Sequence, residues 1–103
     1  MHAAIAGKRD AVSAVCRRYG VARLEVFGSA ARGWDFNPGS SDFDFLVEFN
    51  ADLRLPPLEQ FFGLASALEQ LLGRPVDLVE PAAVRNPFIR AEIDRSREVI
   101  YAS

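Results

Sequence analysis

The alternation of apolar and polar residues is clearest between positions 42 and 49. Every second residue of that stretch is apolar: Phe43, Phe45, Val47 and Phe49. Asp42 and Asp44 stand two positions apart on the other set of positions. Because successive side chains of a strand point to opposite faces, the pattern predicts a strand with one face in the core and two carboxylates on the other.

One amphipathic helix is predicted before this strand in the chain, and a second is predicted after it. Apolar residues recur at helical spacing within 5–19, and Gly20 follows as a stop. A second helix begins at Pro57, which suits a first helical turn, and ends before Gly73. Its predicted core-facing stripe is Leu58, Phe61, Phe62, Ala65, Leu68 and Leu72. We expect both helices to pack on the core face of the sheet.

Short apolar runs predict the remaining elements. Strands are expected at 21–27 and 76–79, and a helix at about 88–95 follows a proline. The segment 99–101 is expected to add a last short strand or to dock on the core. Together these elements predict an α+β fold in a single domain, 1–103.

Composition narrows the range of functions. The formal net charge is −2, from 12 basic and 14 acidic residues, whereas a protein held to nucleic acid by general electrostatics is clearly basic. The lone Cys16 allows no intramolecular disulfide, which favours a reducing compartment. No apolar run approaches the ~20 residues of a membrane helix, and charges at 8–10 argue against a signal peptide. We therefore expect a cytoplasmic protein without direct nucleic-acid or membrane binding.

The turn after the first strand carries candidate phosphate-binding groups. Gly28 permits a tight turn and a close approach to the backbone, and Ser29 offers a backbone N–H group and a hydroxyl. Free N–H groups at a helix start bind phosphate. If the two strands run antiparallel, this turn lies over Asp42 and Asp44, whose close negative charges suit a hard cation such as Mg²⁺. Without the turn, a solvated strand face would explain the two aspartates equally well.

The motif as a whole resembles a known family. Gly28-Ser29, Arg32-Gly33 and Ser41-Asp42-x-Asp44 resemble the signature of nucleotidyltransferases related to DNA polymerase beta. More narrowly, the chain resembles the minimal nucleotidyltransferase (MNT) antitoxins of the MntA type, which are encoded beside HEPN-domain toxins. The resemblance implies a short mixed β-sheet flanked by about three to four helices. One departure is the spacing: twelve residues, 30–41, separate Ser29 from Asp42, where the family pattern commonly has ten.

The resemblance also implies roles for individual residues. Asp77, on the strand after the second helix, would join Asp42 and Asp44 in holding two Mg²⁺ ions. The nucleotide-binding residues implied are Gly28, Ser29 and Arg32, with ATP as the substrate. The alternative for Asp77 is a strand-end residue that faces solvent, and an equally good alternative for Arg32 is a salt bridge that fixes the turn. Trp34 in the long loop indicates a contact surface or a base-stacking group, and Glu25 and Glu48 are expected at the surface or rim.

Three functions follow from the resemblance. The first is an antitoxin that transfers AMP from ATP to a tyrosine of a HEPN ribonuclease toxin and so inactivates it. The second is a non-catalytic antitoxin that neutralises the toxin by direct binding. The third is a nucleotidyltransferase for a small molecule or RNA held by a partner subunit. The chain is too small for a second substrate pocket, so each function requires a partner protein.

Overall fold

The fold, seen in a computed structural model, is described for residues 3–28, 43–50 and 55–102. Four helices are present in these ranges: α1 (Ala3–Ala6), α2 (Arg9–Arg18), α3 (Pro57–Leu72) and α4 (Pro87–Ser96). The strands are β1 (Val21–Phe27), β2 (Phe43–Phe49), β3 (Val76–Val79) and β4 (Glu98–Ala102). A 3₁₀ turn, Pro81–Ala83, follows β3. The predicted α+β class is confirmed, and the 99–101 segment forms part of a strand.

The four strands form one mixed sheet in the order β3-β2-β1-β4. β1 pairs antiparallel with β2 and with β4, whereas β2 pairs parallel with β3. The antiparallel pairing of β1 with β2 confirms the prediction from the turn. It also brings the end of β1 to the start of β2, since Phe27 stands opposite Asp44.

One face of this sheet, called here the core face, is covered by helices. Phe43, Phe45 and Val47 of β2 are buried there, with Leu24 and Val26 of β1. α2 and α3 pack against each other and contribute buried side chains to the same apolar cluster. The alternation in β2 therefore predicted its core side correctly, and the opposite face, called the site face, carries Asp44.

The N-terminal helix is interrupted where the sequence predicts one continuous helix. α1 ends at Ala6 and α2 begins at Arg9. Glycine is costly inside a helix by about 1 kcal/mol relative to alanine, and Gly7 lies at the break. Cys16 is fully buried, and that burial raises the pKa of its thiol to about 12, although the charge of Arg17 acts in the opposite direction. Cys16 is therefore a core residue.

Helix α3 has the predicted ends but only part of the predicted stripe, since Leu68 and Leu72 are buried as predicted. It begins at Pro57 and is closed by Gly73 in the left-handed conformation. Leu58 and Phe62 are 72 % and 62 % exposed, so the prediction that they face the core is wrong. The buried line is Gln60, Leu64, Leu68 and Leu72. Gln60 can be buried because its side-chain amide donates a hydrogen bond to the carbonyl of Tyr19, at 2.9 Å.

Within the described ranges, no helix is long and apolar enough to cross a membrane.

Candidate active site

Two of the three predicted metal-binding aspartates are neighbours on the site face. Asp44 of β2 and Asp77 of β3 are register partners in the parallel pair. Adjacent strands lie about 4.8 Å apart, and paired residues point to the same side of the sheet. Asp44 is half-buried and Asp77 is exposed. The structure therefore brings the third predicted carboxylate beside one of the first two.

The third member of this set, Asp42, lies outside the described residues, as do Ser29, Arg32 and Trp34. Among the described residues alone, no group of three acidic, histidine or cysteine side chains is close enough to hold a metal ion. The predicted roles of those four residues remain predictions. The described part of the site consists of Asp44, Asp77 and the first residue of the predicted phosphate turn.

That first residue, Gly28, is packed against Asp44. Its φ is +71°, a conformation that costs other residues about 1–2 kcal/mol. A Cβ atom placed on Gly28 would lie 2.9 Å from Asp44 Oδ2. The absence of a side chain therefore lets the turn approach the carboxylate closely, as the sequence predicted. Two carboxylates on neighbouring strands, close to the Gly28 backbone, are a donor set whose chemistry fits a hard divalent cation.

The turn is held from the opposite side by α4. The backbone N–H of Gly28 donates a hydrogen bond to Ser96 Oγ at 3.0 Å. Ser96 Oγ in turn donates to the carbonyl of Glu92, one helical turn earlier, at 3.2 Å. Ser96 is 68 positions from Gly28 in the chain. The sequence reasoning did not identify Ser96, because no spacing or motif indicates a contact over that distance.

Farther along the site face, Glu25 contradicts the expectation of a surface or rim residue. It is only 3 % exposed. Glu25 Oε1 lies 2.6 Å from Arg23 Nε, and Oε2 lies 3.4 Å from Arg97 Nε. The second contact is within ion-pair distance, but Oε2 accepts no hydrogen bond from the described residues. Arg97 follows α4 directly, so the helix that holds the turn also covers Glu25; Glu48, by contrast, is exposed as expected.

The space between α4 and the sheet forms a cavity of about 250 Å³. Its lining residues are Arg23, Glu25, Leu46, Glu48, Pro81, Arg90 and Arg97. Glu25 stands opposite Leu46, two positions along β2 from Asp44. The cavity is therefore next to the aspartate pair and is lined mainly by charged side chains, of which Arg23 and Arg97 pair with Glu25.

A mixed sheet of this topology, with an aspartate pair under a glycine turn, defines a minimal nucleotidyltransferase of the polymerase beta-like fold. The model of the nucleotidyltransferase domain family matches residues 8–100. The chain therefore belongs to the nucleotidyltransferase domain family, which confirms the resemblance inferred from the sequence.

Among individual relatives, the chain is 38 % identical over 84 residues to the protein adenylyltransferase MntA of Thermococcus cleftensis. The match covers 82 % of this chain and 77 % of that protein. A solved structure of a candidate minimal nucleotidyltransferase superposes with a TM-score of 0.72 at 36 % identity. That superposition covers 90 % of this chain and 89 % of the other.

More distant structures share the fold. One is the complex of a tri-AMPylated HEPN toxin with its MNT antitoxin from Shewanella oneidensis, at a TM-score of 0.63 and 18 % identity. Another is a toxin–antitoxin complex with AMP-PNP, at a TM-score of 0.67 and 21 % identity. The two superpositions cover 96 % and 92 % of this chain, respectively, and each covers 73 % of the other chain. At these identities the likeness establishes the fold alone.

Proposed function

We propose that this protein is an antitoxin that transfers AMP from ATP to a tyrosine of a HEPN ribonuclease toxin. The observation that carries the proposal is the contact of the Gly28 turn with Asp44, beside Asp77. In this proposal the turn would bind phosphate next to a cation held by the aspartates. The similarity to a protein adenylyltransferase supports a protein acceptor.

The nucleotide would lie with its phosphates along the turn. Gly28 gives the backbone room, Ser29 offers its hydroxyl and N–H group, and Arg32 balances the phosphate charge. ATP as donor is supported by the AMP-PNP bound in a neighbour of the same fold.

A cytoplasmic location stays a prediction from the sequence.

Asp42, Asp44 and Asp77 would hold Mg²⁺. Bound there, the metal supplies charge neutralisation for the triphosphate and lowers the pKa of the attacking hydroxyl. Asp77, being exposed at the sheet edge, is the carboxylate best placed to face an acceptor brought by another protein. It would orient the tyrosine hydroxyl and accept its proton.

AMP transfer forms one phosphorus–oxygen bond and breaks another. The tyrosine oxygen forms a bond to the α-phosphorus of ATP, and the bond from that phosphorus to the bridging oxygen of the β-phosphate breaks. Pyrophosphate leaves, and the phenol proton passes through Asp77 to water. The products are an AMP-tyrosine ester on the toxin and free diphosphate.

The test is incubation of the purified protein with the HEPN protein encoded beside it, together with ATP and Mg²⁺. We expect intact-mass analysis of the toxin to show the addition of one or more AMP units on tyrosine and loss of its ribonuclease activity. Chelation of the metal with EDTA should abolish the addition. A toxin whose mass stays unchanged beside folded protein contradicts the proposal.

A matched pair of variants makes the test specific to the aspartates. Asp44→Asn and Glu48→Gln both change a carboxylate to an amide on the site face of β2. We expect Asp44→Asn to lower AMP transfer by at least about 100-fold and Glu48→Gln to leave it within about twofold. An equal loss of AMP transfer in both variants would indicate that the substitutions disturb the sheet and not a metal site.

Neutralisation by binding alone is the competing function. The double variant Asp42→Asn, Asp44→Asn separates the two in cells that express the toxin. Catalytic inactivation predicts that the double variant no longer protects these cells. If it still protects them, occlusion of the toxin is the mechanism.

A further inference from the structure

Ser96, the last residue of α4, occupies a central position between two backbone groups. Its hydroxyl accepts a hydrogen bond from the N–H of Gly28 and donates one to the carbonyl of Glu92. A hydroxyl has one hydrogen to donate and two lone pairs, so both contacts are compatible with one orientation. The side chain therefore links the phosphate turn to the α4 backbone.

The Gly28 end of this link needs an external restraint. Glycine reaches positive and negative φ with nearly equal ease, so the sequence alone does not fix its conformation at +71°. At that φ the turn lies where a Cβ would come within 2.9 Å of Asp44 Oδ2. A change of this conformation would move the turn relative to the aspartates. The bond from Ser96 restrains that movement.

The α4 end of the link is anchored to the sheet. Ile93, one turn before Arg97, is buried, and its carbonyl accepts the Arg97 N–H at 2.9 Å. Arg97 forms the ion pair with Glu25 of β1. Ser96 lies between Ile93 and Arg97 in the chain. The burial of Ile93 before it and the Arg97–Glu25 ion pair after it therefore fix its position relative to β1.

We propose that Ser96 is a positioning residue for nucleotide binding: its hydroxyl holds the Gly28 turn at the distance from Asp44 that the triphosphate and its metal require. The inference rests on the proposed function and adds to it a residue outside the family motif. Ser96 touches neither nucleotide nor metal in this scheme. It acts through the Gly28 backbone.

The test compares Ser96→Ala with Ser13→Ala. Ser13 is a matched control because it is also a half-buried helical serine whose hydroxyl donates to the carbonyl four residues earlier, that of Arg9, at 2.9 Å. Ser96→Thr keeps the hydroxyl and is the rescue variant. Two measurements are made on each protein: amide exchange at Gly28 by NMR without nucleotide, and the dissociation constant for AMP-PNP with Mg²⁺ by calorimetry.

A net hydrogen bond contributes about 0.5–1.5 kcal/mol, which corresponds to roughly threefold to tenfold. We expect Ser96→Ala to speed exchange at Gly28 and to weaken AMP-PNP binding by about that factor, with Ser96→Thr close to wild type. Ser13→Ala should change neither. Thermal unfolding should shift slightly more for Ser96→Ala than for Ser13→Ala, because it loses one additional hydrogen bond, while alanine's higher helix propensity offsets part of the loss in both variants.

The outcomes separate this inference from the proposed function. If Ser96→Ala binds AMP-PNP as wild type does, the positioning role is overturned while the transferase function stands. If wild type binds AMP-PNP but transfers no AMP to the toxin, the proposed function fails, and the Ser96 comparison still decides the positioning role. If wild type binds no nucleotide, both are overturned.

Discussion

The two faces of the sheet are stabilised in different ways. On the core face, β1 and β2 present fully buried apolar side chains such as Leu24 and Phe45 to two helices. On the site face of the described part of the chain, helix α4 is held by the buried Ile93, the Glu25–Arg97 ion pair and the Ser96 hydroxyl. Stability therefore comes chiefly from one face, and the other is left free to carry charge.

This division explains how a short chain can hold two negative charges side by side. Asp44 and Asp77 lie on strands already fixed by Phe43, Phe45 and Val76 on the core face. Repulsion between the carboxylates consequently acts against strands that are fixed independently of the site.

The largest expected effect on stability is on the core face. Phe45→Ala removes a fully buried ring, and such changes cost about 3–5 kcal/mol through lost burial and the cavity left behind. We expect a strongly lowered unfolding midpoint in urea or on heating. A loss below about 1 kcal/mol would contradict the assignment of stability to this face.

A smaller effect is expected at the turn on the site face, where two glycines allow a controlled comparison. Gly28 and Gly73 have nearly the same φ, +71° and +70°, but a Cβ at Gly73 would meet nothing within 4 Å. We expect Gly73→Ala to cost about 1 kcal/mol for the backbone alone. Gly28→Ala should cost about 2 kcal/mol and also lose AMP-PNP binding, because its Cβ displaces Asp44. Equal costs with normal binding would show that the turn is not tightly packed there.

The ion pair under α4 should contribute less. Arg97→Ala leaves the buried Glu25 with Arg23 as its described partner. Because the Arg97 side chain is itself partly exposed, solvent screens the pair, and we expect a loss of about 1 kcal/mol. Arg95→Ala is the control, since its pair with Glu92 is exposed and should contribute under about 0.5 kcal/mol. Thermal unfolding of both variants measures the difference.

The smallest effect on stability is expected at Asp77. It is exposed, and surface substitutions are usually within about 0.5 kcal/mol. Asp77→Asn should therefore unfold as wild type does while AMP transfer falls by at least about 100-fold. A variant that unfolds early would indicate that Asp77 supports the sheet edge. A variant that transfers AMP normally would remove it from the site.

The sequence predicted those features that depend on local periodicity or on a compact motif. The alternation in 43–49 gave the orientation of β2, and the motif led to the antiparallel turn and to Asp77 as its neighbour. Leu68 and Leu72 of α3 were predicted correctly as buried, but Gln60 was missed because its amide is satisfied by the distant carbonyl of Tyr19. The burial of Glu25 and the contact of Ser96 were missed for the same reason: both depend on α4, which is remote in the chain.

The pairing of β1 with β4 also bears on when the protein can work during synthesis. Residues 96–102 supply two contacts: β4 pairs with β1, and the Ser96 hydroxyl accepts the hydrogen bond from the Gly28 N–H group. Contacts over such a separation form late and slow folding. A nascent chain on the ribosome that has released only residues 3–79 contains Asp44 and Asp77 but lacks the restraint on the turn, so we expect its nucleotide affinity to reach the full value only once the last strand has emerged.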